Sequence, residues 1–250
     1  MTEIAAEQFP VIHYPRRQFI RGVLRTAINA ALAVVCNIKV EGLENYPKTG
    51  SVLLIGNHFS FLDPVAVIGF SPRHVEFIGG ATTPNAPKSV SWFAKLYGVL
   101  PVRRGTLTRD SLLGAQSLLN QGGVLSIFPE AGSWATVLRP PRPGAALLAS
   151  RTTAKVLPIG LHGLTEVFPS FRKGKRATVT IRIGKPFGPF FVSERGETNR
   201  ARLDEIGHTM MRQIAELIPP EARGYYSNDP AIRAAAEGTE IYPWANKAEL

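Results

Sequence analysis

The stretch Ser51-Val52-Leu53-Leu54-Ile55-Gly56-Asn57-His58-Phe59-Ser60-Phe61-Leu62-Asp63-Pro64 decides how this chain is read. Its apolar front predicts a buried strand over residues 51–56. Asp63-Pro64 then marks a helix start, since Asp suits an N-cap and proline the first helical position. A histidine and a carboxylate thus fall where a strand ends and a helix begins, a usual place for a site in an α/β sheet. On one continuous helix, residues five apart point about 140° away from each other. His58 and Asp63 therefore meet only if the chain bends between them. If they meet, a neutral imidazole can take a proton from a hydroxyl while the carboxylate fixes its tautomer. No G-x-S-x-G elbow occurs in the chain, so the hydroxyl can come from the substrate. Taken alone, the pair reads equally as a helix cap beside a loop histidine.

Working outward, apolar runs alternate with helical periodicity. Strands are expected at 38–41, 75–79, 99–102, 124–128 and 156–161, with an alternating, edge-type strand at 177–183. Helices are expected at 63–70, 88–97, 107–121, 144–150 and 197–218, several closed by glycine. This alternation predicts an α/β fold with a mixed, largely parallel central sheet flanked by helices. The expected organisation is an N-terminal segment over 1–37, an α/β domain over 38–220 and a C-terminal tail over 221–250.

Residues 16–36 carry Phe19, Ile20, Val23, Leu24, Ala27, Ile28, Ala31, Leu32 and Val35 at helical spacing, with Arg16, Arg17, Arg21 and Arg25 crowding the front half. An amphipathic helix of this kind docks peripherally on a membrane, arginines on lipid phosphates; the alternative is a surface helix packed on the core. No run reaches the 18–20 apolar residues expected of a span.

The chain has 250 residues, a formal net charge of +10 and a pI near 10.0. Such a charge calls for anionic partners, whether nucleic acid, anionic lipid or a phosphorylated substrate. Basic residues are scattered, with few aromatics between them, which argues against nucleic acid. The lone cysteine, Cys36, excludes an intrachain disulfide and is compatible with a reducing, cytoplasmic setting.

Further clusters follow other strands. Gly98-Val99-Leu100-Pro101-Val102-Arg103-Arg104 places two guanidinium groups just past a strand, where they suit a phosphate. Phe128-Pro129-Glu130-Ala131-Gly132-Ser133 places a lone carboxylate in a Gly/Pro loop, where it can orient a hydroxyl or pair with an arginine. Val156-Leu157-Pro158-Ile159 is apolar and contributes shape. A hydrolase using Ser60 or Ser133 with His58 lacks its elbow. A metal site from His58, Asp63, His74 and Glu76 lacks the spacing of known ligand motifs.

In order and spacing, these four segments resemble the motifs of the glycerophospholipid acyltransferase family, whose best-known members are the 1-acylglycerol-3-phosphate acyltransferases. The family's N-H-x-x-x-x-D falls on 57–63, its glycine-to-arginine segment on 98–104, its F-P-E block on 128–130 and its hydrophobic-proline segment on 156–159. The resemblance implies that His58 and Asp63 are catalytic, and that Arg103, Arg104, Glu130, Gly132 and Arg142 serve the acceptor. It implies an acyl-CoA or acyl carrier protein thioester as co-substrate, no cofactor or metal, and a lysophospholipid acceptor. The location implied is the cytoplasmic face of an anionic membrane. One departure stands out. The family block runs on as F-P-E-G-T-R-S, whereas here it is Phe128-Pro129-Glu130-Ala131-Gly132-Ser133-Trp134. Either Arg139 or Arg142 loops back to replace the missing arginine, or the acceptor is another lyso-lipid or hydroxylated lipid. A non-catalytic lipid-binding module is the remaining alternative.

Overall fold

The computed structural model describes residues 12–80, 88–102, 109–192 and 197–241. Its elements run α1 (Gln18–Val35), β1 (Cys36–Glu41), β2 (Val52–Gly56), α2 (Asp63–Phe70), β3 (Val75–Gly80), α3 (Lys88–Tyr97), β4 (Leu100–Val102), α4 (Arg109–Asn120) and β5 (Val124–Ile127). They continue as α5 (Pro143–Ser150), β6 (Lys155–His162), α6 (Val167–Arg172), β7 (Ala177–Ile183), α7 (Glu197–Ala215) and α8 (Pro230–Ala236).

One seven-stranded sheet has the order β1-β7-β6-β2-β5-β3-β4. Every neighbouring pair is parallel except β6 with β7. The fold is thus the expected mixed, largely parallel α/β sheet. β2 is buried throughout, so its alternate side chains feed two cores. Val52 and Leu54 join Ile28 and Leu32 of α1 and Ala66, Val67 and Ile68 of α2 on one face. Leu53 and Ile55 join Leu118 and Leu119 of α4, Leu148 of α5 and Met210 and Ile214 of α7 on the other. Strands covered on both faces read as unbroken apolar runs, which is why 51–56 carried no alternation.

Two expectations are corrected. β7 is not an edge strand, because β1 pairs outside it through residues 36–41. Its alternation records burial on a single face, with Ala177, Val179, Ile181 and Ile183 in the core. At the start of α1, for its part, the arginines do not all face outward. Arg21 is buried, donates to both carboxylate oxygens of Glu76 on β3 and to the Tyr97 carbonyl, and lies over the Tyr97 ring. Arg16 also reaches Glu76, and Arg17 donates to the Lys95 and Leu96 carbonyls at the end of α3. A buried acid attracts these guanidinium groups more strongly than hydrated phosphates would, because the surrounding dielectric is low. Burial pushes the Glu76 carboxyl up, but Arg21 and Arg16 outweigh it and hold the group below its usual range.

What α1 turns outward is apolar. Phe19 is 84% exposed, Val23 54% and Val34 69%, with Ala27 and Ala30 exposed between them. By length and composition this helix could cross a membrane, which corrects the expectation that no segment reaches that length. Here it lies against α2 and α3, with Ile28 and Leu32 in the core.

The last described segment does not trail away. Leu138 donates to the Ala222 carbonyl at 3.0 Å and accepts from the Tyr225 amide at 3.0 Å. α8 follows with the Asp229 side chain capping its start.

Candidate active site

β2 lies between β5 and β6, and the site opens past the carboxyl ends of these strands. Asn57 closes the end of β2. Its side chain donates to the Leu161 carbonyl at 2.8 Å and accepts from the Leu161 amide at 2.7 Å. A side chain thus continues the β2–β6 ladder past the last backbone pair, and the next residue is His58.

The chain then bends as His58 and Asp63 require. Asp63 donates its amide to the Ser60 carbonyl at 3.0 Å, closing a turn. Its Oδ2 accepts the Phe59 amide at 2.7 Å, the Ser60 amide at 2.8 Å and His58 Nδ1 at 2.9 Å. Asp63 does not cap α2: the helix begins at Asp63 itself and Leu62 precedes it without a side-chain cap bond. The carboxylate faces back into the loop instead. Burial pushes its carboxyl up, opposed by the His58 ring and the two amides. Because Nδ1 faces an acceptor, it carries the proton in the neutral ring, leaving Nε2 as the basic nitrogen. Phe128 stacks on the imidazole at 4.3 Å between centroids, with planes 20° apart. These two contacts hold the ring in position.

Glu130 is engaged within the protein. Its side chain is fully buried, Oε1 accepts the His58 amide at 2.8 Å, and Oε2 accepts the Arg139 amide and Nε, each at 3.2 Å. Of the two roles the sequence allowed, orienting a hydroxyl or pairing with an arginine, the contacts present are those of the arginine pair. Burial pushes its carboxyl up to about 7, against the pull of Arg139 and the two amides. Arg139 donates further to the Gly132 carbonyl and lies 3.8 Å over the Trp134 ring. Gly132 so contributes a carbonyl to the loop's own fastening. Arg139, one of the two arginines that could replace the missing one, is buried and donates to Glu130 and Gly132. Arg142 is exposed; its amide donates to the Pro129 carbonyl at 2.8 Å and its guanidinium reaches the Glu240 carbonyl at 3.4 Å. Arg103 and Arg104 lie outside the described residues. His74 and Glu76 are not gathered at this site, Glu76 being held by Arg21 and Arg16.

Ala131, where the family block has glycine, sits at φ 60. That left-handed backbone is costly for a residue with a Cβ, at about 1–2 kcal/mol. The loop over 129–143 holds it there through the Glu130–Arg139 pair. Trp134 is itself fastened, its indole donating to the Thr239 carbonyl at 2.7 Å. Beside Asp63 and Phe59 opens a cleft of about 240 Å³, bordered by Thr136, Leu161, His162, Thr165 and Glu221 among others.

The family model described as Acyltransferase matches residues 37–162, half of the chain. The chain belongs to the glycerophospholipid acyltransferase family. Over 184 residues it is 28% identical to the chloroplastic 1-acyl-sn-glycerol-3-phosphate acyltransferase LPAT1 of Arabidopsis thaliana, covering 68% of this chain and 49% of that protein. Over 177 residues it is 27% identical to the chloroplastic 1-acyl-sn-glycerol-3-phosphate acyltransferase BAT2 of Brassica napus, covering 68% and 51%. The chain spans about half the length of these relatives. The crystal structure of the 1-acyl-sn-glycerophosphate (LPA) acyltransferase PlsC from Thermotoga maritima superposes with a TM-score of 0.53 at 22% identity, covering 77% of this chain and 79% of that one. That likeness establishes the shared fold.

Proposed function

We propose that this protein moves a fatty acyl group from an acyl thioester to the free hydroxyl of a lysophospholipid. The acceptor is 1-acylglycerol-3-phosphate and the product phosphatidic acid, as the names of the two plant relatives suggest. The observation that carries the reading is the 2.9 Å contact of His58 Nδ1 with a buried Asp63. Nε2 takes the acceptor's proton as its oxygen attacks the thioester carbonyl. The tetrahedral adduct collapses, the carbon–sulfur bond breaks, and the imidazolium returns its proton to the departing thiolate. Asp63 steadies the imidazolium between the two proton transfers. The enzyme supplies a base, and the lipid supplies the nucleophile. Acyl-CoA and acyl carrier protein thioesters both fit this chemistry.

One observation favours a second acceptor. Ser133 and Trp134 follow Glu130 where the family places its arginine, and Arg139 is occupied by Glu130. A lyso-lipid whose head is not a phosphate monoester answers to that change. Acceptor-dependent thiol release across a panel of lyso-lipids tests both readings. Turnover restricted to 1-acylglycerol-3-phosphate supports the first, and turnover restricted to another head group supports the second. Thiol release independent of any acceptor contradicts both.

The attachment that fits is peripheral, on the cytoplasmic leaflet, through the outward apolar stripe of α1 and the exposed Trp92 of α3, against which α1 packs. An outward apolar helix face is costly in water and favourable at a bilayer interface. The acceptor's chain then stays in the lipid while its head reaches His58.

A further inference from the structure

With Arg16 and Arg21 committed to Glu76, an anionic-lipid contact draws its charge from elsewhere as well. We propose that the turn following α6 is a second membrane contact, one that recognises anionic lipid head groups through Arg172, Lys173 and Lys175, with Phe168 and Phe171 inserted beside them. The inference rests on the peripheral attachment just proposed and names the surface that gives it a lipid preference.

α6 buries Val167 in the core and exposes Phe168 at 47% and Phe171 at 59%. Three residues apart, these two rings share one helix face. The turn is rigid: Lys173 and Lys175 donate their amides to the Ser170 carbonyl at 2.9 and 3.0 Å, and Gly174 donates to Phe171 at 2.9 Å. Arg172, Lys173 and Lys175 all project into solvent. Among the described residues none of the three forms an ion pair, whereas Arg16, just before α1, and Arg21 within it do. The next cation, Arg176, is spent differently. It donates to the Ala33 carbonyl at 2.6 Å and to the Cys36 carbonyl, fastening this turn to the end of α1 beside the exposed Val34.

A bilayer fits this surface better than an acidic protein does. Two exposed phenylalanines flanked by cations match the layered chemistry of an interface, with rings at the acyl boundary and ammonium and guanidinium groups among phosphates. Arg176 fastens the turn to the end of α1, where Val34 is exposed, so one interface covers both. Phe61, from the loop between His58 and Asp63, stacks on Phe168 with centroids 5.7 Å apart. The contact thus adjoins the loop that carries the candidate base, where a membrane-held acceptor must arrive.

The test is sedimentation of the full chain with vesicles of phosphatidylcholine alone and of phosphatidylcholine mixed with phosphatidylglycerol, a thermal melt confirming that each variant folds. Changing Arg172→Glu, Lys173→Glu and Lys175→Glu together should weaken partitioning onto the mixed vesicles about 100-fold and leave the neutral vesicles little affected. Phe168→Ser with Phe171→Ser should weaken binding to both. The inference is overturned, with attachment intact, if the triple variant sediments like the unaltered chain while Val23→Glu on α1 releases it. It is also overturned if the triple variant keeps its lipid binding and loses turnover only with carrier-protein thioesters, which assigns the patch to an acidic protein. An unaltered chain that binds neither vesicle overturns the attachment itself.

Discussion

Glu130 Oε1 accepts the backbone amide of His58 at 2.8 Å, across 72 positions of sequence. The carboxylate of the F-P-E block thereby fixes the backbone that carries the candidate base. Arg139 holds that carboxylate from the other side, and Trp134 lies against the Arg139 guanidinium. The loop is a bracket for His58.

A bracket and a substrate ligand respond differently to Glu130→Gln. The amide keeps one acceptor oxygen but turns an N–H toward Arg139, which has only donors to offer. The expected result is a fall in kcat on the order of 10–100-fold, as for a misplaced catalytic group, with the acceptor KM little changed. A rise in acceptor KM at unchanged kcat would place Glu130 on the substrate instead.

Arg139→Leu leaves a buried carboxyl without its cation. Removing one partner of a buried pair costs about 3–5 kcal/mol, so a large fall in melting temperature is expected. Replacing both partners, Glu130→Gln with Arg139→Leu, should recover part of that loss. If the single change melts like the unaltered protein, the pair does not hold the loop.

Asp63→Asn keeps an oxygen for the Phe59 and Ser60 amides and removes the charge behind His58. It should lower kcat by about 10²-fold or more, through the wrong tautomer and an unsupported imidazolium, while the melting temperature stays near that of the unaltered chain. Full activity would reduce Asp63 to an organiser of its own turn.

Glu76 predicts an acid-sensitive anchor for α1. Its folded pKa is depressed below the unfolded value, so the stabilisation is present above the usual carboxylate range. It is lost as pH falls through the folded pKa. Unfolding followed against pH should show this loss below about pH 4.5 in the unaltered chain. Arg21→Met should destabilise near neutral pH by about 3 kcal/mol and flatten the acid limb. An acid limb unchanged by Arg21→Met would contradict the anchor.

Much of this architecture is legible because burial on both faces leaves an unmistakable trace. The apolar run 51–56 maps onto β2 (Val52–Gly56), and 124–128 and 156–161 onto β5 and β6. The spacing of His58 and Asp63 shows that they meet only through a bend, but leaves open whether they do. What stayed hidden depends on distant partners. Arginines at 17, 21 and 25 give one pattern whether they face lipid phosphate or a buried acid; Glu76, a charge inside an otherwise apolar strand, was the available sign. Arg139 pairs with Glu130 nine residues away through a loop without periodicity, so the sequence leaves it open between phosphate and carboxylate. Asn57 stood in plain sight, but only the β2–β6 pairing explains its amide. The position of β7 was misjudged because alternation reports one-sided burial, which interior and edge strands share.

Acceptor-dependent thiol release by His58→Ala tests the account most directly. If Nε2 is the base that takes the acceptor's proton, a folded His58→Ala protein should turn over at least about 10²-fold more slowly, with donor and acceptor binding largely retained. Acyl transfer by that variant at close to the unaltered rate would contradict the account.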